Sequence, residues 1–178
     1  VNPISLLNGT CNVITSGTIV QRKKLGEVNL FDTNAKRAQD FDLWFRLAKN
    51  GAKIGYQRDV LIKYRVSSTS LSGSNVQRAE RNISILNLIK DKYEFDAEEQ
   101  KVWENQMAFS EAEVELEKGK CSLVEGKYVE ASKHFAKANE FYRKPKLTIL
   151  RFLLAISPAL TLKLFKKLRP SEFSFIKS

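Results

Sequence analysis

Two carboxylates stand two residues apart in the segment Gln39-Asp40-Phe41-Asp42-Leu43-Trp44. The residues beyond them have helical spacing: Leu43, Trp44 and Leu47 share a face, and Gly51 suits the end. A helix is therefore expected from Asp40 to Asn50, with Asp40 as its cap. A carboxylate at a helix amino terminus meets free backbone N–H groups and the positive end of the dipole. Fixed at the mouth of a site, such a group can take a proton from a hydroxyl. It can equally be a helix cap and nothing more. Asp42 lies in the first turn, where a negative charge is favourable in any case. Trp44 offers either a flat surface for stacking or a large apolar body for the core. Arg46 reads as a solvated or structural residue.

The surrounding elements must hold that segment. Val13-Ile14-Thr15-Ser16-Gly17-Thr18-Ile19-Val20 is β-branched and punctuated by small residues, so a strand is expected there. A short helix from Lys23 to Val28 should come next. Lys53-Ile54-Gly55-Tyr56 and Val60-Leu61-Ile62-Lys63-Tyr64-Arg65-Val66 also read as strands. Residues 1–73 thus form an α/β pattern. Ser67 to Asn75 is a Ser/Gly-rich break, which puts a domain boundary near Gly73. Residues 74–178 read as an all-α region, with Phe95-Asp96 between two long amphipathic helices.

Several pieces fall in one order: Thr15-Ser16-Gly17-Thr18-Ile19-Val20-Gln21-Arg22, Leu25, Val28, Phe31-Asp32, Ala38 to Ala48, Gly51, Ile54, Tyr56, and Tyr64-Arg65 with Ser70-Leu71-Ser72. Over roughly residues 10–72 this order resembles the acceptor-binding half of bacterial family 2 glycosyltransferases, which are inverting enzymes with a GT-A fold. The resemblance implies part of a Rossmann-like sheet and a direct displacement at a sugar's anomeric carbon. The donor would be a nucleotide-diphosphate sugar, and the acceptor a saccharide or a lipid-linked sugar, in surface polysaccharide synthesis. The family's catalytic base maps onto Asp40. Gln39 stands where the family often has Glu, keeping shape and hydrogen bonding but not charge. Asp42 and Trp44 would help hold the acceptor, with structural roles as their plain alternatives. Gly17 and Thr18 match a strand that passes beside donor and acceptor, where small residues let backbone approach a ligand. Arg65 would contact diphosphate, since a guanidinium suits paired phosphate oxygens. Some relatives carry a His after this pair. Ser67 and Ser68 stand there instead, so no metal ligand is inferred.

The family's nucleotide-binding half precedes this segment and carries an Asp-rich motif that holds Mg or Mn against the diphosphate. Nothing in residues 1–38 matches it, and Asp32 stands alone. The chain opens at Val1-Asn2-Pro3, so a missing amino-terminal part is expected, and this stretch by itself should transfer no sugar.

Net charge is +10, but from Arg143 to Ser178 there are nine Lys/Arg against one Glu, so the rest of the chain is nearly neutral. A basic tail on a neutral body points to a local contact surface. Its cations alternate with aliphatics rather than with stacking aromatics, which argues against nucleic acid. Lys146 to Arg169 interleaves Leu, Ile and Phe with Lys and Arg, yet its longest uncharged run, Phe152 to Leu162, contains Pro158. A spanning helix needs about twenty apolar residues. The expectation is a basic amphipathic pair of helices, peripheral on an anionic membrane at the cytoplasmic face, or else an ordinary core-facing helix. Before it, Gly119, Gly126, Tyr128, Ala131, Phe135 and Ala138 have the spacing of one tetratricopeptide unit. A single copy makes a helical hairpin, not a solenoid. Cys11 and Cys121 match no metal or redox spacing, which fits a reduced compartment, and His134 is the chain's one histidine. The alternative to an enzyme is a non-catalytic helical module that recruits a partner or a membrane.

Overall fold

The computed structural model describes residues 1–35, 38–63 and 74–170. Along the chain these form α1 (Pro3–Leu7), a 3-10 turn (Thr15–Gly17), α2 (Arg22–Glu27), α3 (Gln39–Lys49), α4 (Asn75–Lys92), α5 (Ala97–Val124), α6 (Tyr128–Tyr142), α7 (Pro145–Ile156) and α8 (Pro158–Leu168). There is no strand among the described residues. The expected α/β class, with its Rossmann-like GT-A sheet half, is therefore wrong, and the protein is all-α.

The reason lies in what a strand requires. Its N–H and C=O groups need a neighbouring strand to bond to. The Val13–Val20 stretch instead closes on itself: Gly17 N–H donates to Ile14 O and Thr18 N–H to Thr15 O. Lys53–Tyr56 and Val60–Lys63 take no regular structure. Ile19, Tyr56, Val60 and Leu61 are all largely exposed. β-branched composition describes fitness for a half-buried pleated surface, and it comes to nothing without a paired neighbour.

Contacts divide the chain into two compact units, Val1–Arg65 with Ser84–Gln106, and Val66–Ile83 with Met107–Ser178. The division is discontinuous in sequence, because α4 and α5 contribute residues to both.

In the first unit α3 is the central element. Leu43, Trp44, Leu47 and Ala48 pack against Leu6 and Val28, with Val13, Val20, Leu25, Ala52 and Ile54 around them. On its other side Phe45, fully buried, meets the rings of Tyr93 and Phe95 at 5.6 and 6.1 Å. Each such buried side chain contributes roughly 1.5–3 kcal/mol. The helix ends at a left-handed Gly51, φ +71°. There Gly51 N–H donates to Ala48 O and Ala52 N–H to Leu47 O, which satisfies the last carbonyls.

In the second unit Leu123, Ala131, Phe135 and Leu154 form a core joined by Leu116, Tyr128, Leu147, Leu150, Leu162 and Phe165. Gly119 is what lets Phe135 in: a Cβ there would lie 2.7 Å from the ring. Pro145 and Pro158 each open a helix at a position where a missing N–H costs nothing.

Candidate functional site

The site is built around the first turn of α3. That helix starts at Gln39, one residue earlier than the sequence suggests, and Ala38 precedes it without a side-chain cap. Asp40 is therefore inside the helix rather than capping it. Gln39 and Asp40 are both exposed. Among the described residues no side chain bonds to the Asp40 carboxylate, which is open to a ligand at the positive end of the helix.

Asp42, two residues on, has the opposite environment. It is completely buried. Its Oδ1 accepts from Lys92 Nζ at 2.6 Å and from the Tyr93 hydroxyl at 2.7 Å. Its Oδ2 accepts from Arg46 Nε and faces Arg46 Nη2, both at 2.8 Å. Burial pushes the Asp42 carboxyl up, but the hydrogen bonds from Lys92, Tyr93 and Arg46 outweigh it and hold the group below its ordinary value. Desolvation pulls Lys92 down, but its bonds to Asp32, Asp42 and Tyr93 leave the ammonium more firmly protonated than usual. Burial and the bond to Asp42 raise the Tyr93 hydroxyl. All the acceptor capacity of Asp42 is turned inward, which leaves none for a substrate hydroxyl.

Lys92 also donates to Asp32 Oδ2 at 2.6 Å. That bond, with the Asn34 N–H donated to Asp32 Oδ1 at 2.8 Å, lowers the Asp32 carboxyl. Arg46 continues the network. It donates from Nη1 to Val28 O and from Nη2 to Leu30 O at 2.8 Å. Between and at those two carbonyls, Asn29 and Leu30 both hold left-handed backbone, φ 59° and 60°.

Trp44 is 5 % exposed, so its ring serves the core and is closed to stacking by a ligand. Its indole N–H donates to Thr15 Oγ1 at 3.2 Å. This bond draws the Thr15–Gly17 turn against α3. Asp40 and Trp44 are four residues apart, hence on one helical face, so the turn packs one step along the face that carries Asp40. Gly17 lies against the Ile62 side chain and Thr18 Oγ1 donates to Ile14 O at 2.8 Å, so both hold local structure. Of the sequence-derived residues, Gln39, Asp40 and Trp44 share α3, and Trp44 is bonded to Thr15, next to Gly17 and Thr18. Asp42 belongs to the interior. Arg65 lies outside the described residues, as do Tyr64 and the Ser67–Ser72 stretch.

Lys92 and Tyr93 are the residues that sequence reasoning missed. They sit at the end of α4, fifty positions beyond Asp42, and no local pattern links them. The Asp42–Arg46 pair, by contrast, has the i, i+4 spacing of a helical ion pair.

A divalent metal does not fit here. Among the described residues no group of three or more His, Cys, Asp and Glu is placed to hold one. The two carboxylates that converge, Asp32 and Asp42, do so on Lys92 Nζ, and that ammonium already supplies the positive charge. No protein-family model, curated protein or solved structure matches the chain.

Proposed function

We propose that this chain carries the acceptor-activating base of an inverting glycosyltransferase that uses a nucleotide-diphosphate sugar, and that the base is Asp40. The reading rests on the residue order around Asp40 and not on any sheet. The observation that carries it is the contrast within one helical turn. Asp42 is consumed by three side chains, whereas Asp40 is exposed at the amino end of a helix anchored by Leu43, Trp44, Phe45 and Leu47. A general base needs that combination of access and fixed geometry. The Trp44–Thr15 bond supports the reading further, because it joins the two parts of the family-like pattern.

In the reaction the Asp40 carboxylate takes the proton of the acceptor hydroxyl. The hydroxyl oxygen forms a bond to the anomeric carbon as the bond to the diphosphate oxygen breaks. The nucleoside diphosphate leaves with that electron pair, and the configuration inverts. Grip on the diphosphate and its metal must come from groups other than those described.

The test is Asp40→Asn in the gene product that contains this sequence, assayed for transfer from radiolabelled nucleotide-diphosphate sugars to membrane-extracted and saccharide acceptors. A loss of about 10²–10⁴-fold is expected, with an unchanged circular dichroism spectrum. Transfer retained by the variant removes Asp40 as base. Absence of transfer by the parent with every donor removes the enzymatic reading.

A further inference from the structure

Helices α7 and α8 are apolar on two faces. Leu147, Leu150 and Leu154 of α7, with Leu162 and Phe165 of α8, turn into the core around Leu123 and Phe135. The other face of α7 carries Ile149, Phe152, Leu153 and Ile156, at 57, 65, 36 and 65 % exposure. At 3.6 residues per turn these four fall within one stripe. On α8, Leu160, Leu164 and Leu168 recur every four residues and are exposed, with Lys163 and Lys167 beside them. A helix with a solvated outer face puts polar residues there. A continuous run of large apolar side chains marks a contact surface.

Charge identifies the occupant. Residues 143–170 hold eight Lys/Arg and no Asp or Glu. Cations meet the first residue of the α7 stripe: Arg143 and Lys144 line an open depression together with Pro145 and Ile149 at the start of α7. A protein partner would have to combine a matching apolar face with a strongly acidic one. An anionic bilayer supplies both an apolar interior and a plane of phosphates. Among the described residues no helix is long and apolar enough to cross a membrane, and Ser157-Pro158 divides the apolar stretch in two.

We propose that α7 and α8 dock on the surface of an anionic lipid bilayer. The side chains of Ile149, Phe152, Ile156, Leu160 and Leu164 enter the boundary between headgroups and acyl chains, and the flanking lysines meet lipid phosphates. The proposal is independent of the role of Asp40, and its test measures no transfer.

The test is sedimentation of the whole chain with phosphatidylcholine vesicles that contain phosphatidylglycerol, against pure phosphatidylcholine vesicles, at low and high salt. Binding is expected only with phosphatidylglycerol, and weaker in high salt. Phe152→Ser with Ile156→Ser should weaken it by at least about tenfold. Lys163→Gln with Lys167→Gln should weaken it by about twenty-five-fold, at about fivefold for each lysine. Both pairs lie outside the core, so circular dichroism should not change. Equal binding to neutral vesicles, absence of binding to anionic ones, or indifference to both double variants overturns the proposal. Concentration-dependent dimerisation that Phe152→Ser abolishes, without vesicle binding, overturns it in favour of a second copy of this chain.

Discussion

Asp42→Asn separates the structural carboxylate of α3 from the exposed one. Asn keeps the shape and one acceptor oxygen for Lys92 and Tyr93. Its amide nitrogen, however, replaces Oδ2 and confronts the Arg46 guanidinium, so donor meets donor. Removing one partner of a buried charged pair costs about 3–5 kcal/mol. Arg46 retains the carbonyls of Val28 and Leu30, and Lys92 is 31 % exposed and retains Asp32, so the lower end applies. A cost of about 3 kcal/mol lowers Tm by roughly 6–12 °C in a chain of this size. Thermal unfolding followed by circular dichroism at neutral pH reads this directly, with Asp40→Asn as the control that should move Tm little. The pH dependence adds a signature. The folded Asp42 carboxyl is held low, so its stabilisation is present above the unfolded value near 4 and is lost as pH falls through the folded value. The folded Lys92 ammonium is held high, so its share is present below about 10.4 and is lost as pH rises through its folded value. The gap between parent and variant should be widest from about pH 5 to 10. A variant as stable as the parent at neutral pH refutes the reasoning, as does a gap that persists undiminished far below the carboxylate range.

Two further variants test the packing of each unit. Leu30 is exposed and left-handed, so Leu30→Gly relieves about 1 kcal/mol of backbone strain and should raise Tm by roughly 2–4 °C; a lower Tm would count against the strain. Gly119→Val drives a branched side chain into the Phe135 ring, which is buried and cannot give way. Denaturant unfolding should show a loss of about 2 kcal/mol, and an unchanged midpoint would mean that the ring moves freely.

Part of the fold is legible in the sequence because its signals are local. The i, i+3, i+4 spacing of Leu43, Trp44 and Leu47 is a property of α3 alone, and so is the glycine at its end. The break that Pro158 makes in the apolar run is equally local, and it falls at the start of α8. The start of α3 lies one residue earlier than the sequence suggests, because an aspartate there resembles a cap while the chain uses Ala38 with no side-chain bond. The expected strands fail for a deeper reason. Val13–Val20 and Val60–Lys63 have the right composition, but pairing is a relation between distant segments, and no local pattern reports whether a partner lies alongside. Asp42 fails in the same way. Its first-turn position is compatible with a ligand contact until Lys92 and Tyr93 arrive from the end of α4.

The two carboxylates are linked by helical geometry as well as by contrast. Residues two apart on a helix point to roughly opposite sides. An apolar face by itself fixes a helix against its core loosely, since greasy side chains tolerate small rotations about the axis. The Asp42 cluster removes that freedom, because the hydrogen bonds from Lys92 and Tyr93, at 2.6 and 2.7 Å, cannot survive a rotation that the apolar contacts would permit. The Trp44–Thr15 bond adds a second point of attachment two residues along, on the opposite side of the helix. Between them they set the direction in which Asp40 projects. Lys92 and Tyr93 therefore act on the proposed base as positioning residues, through the orientation of α3 and without touching it.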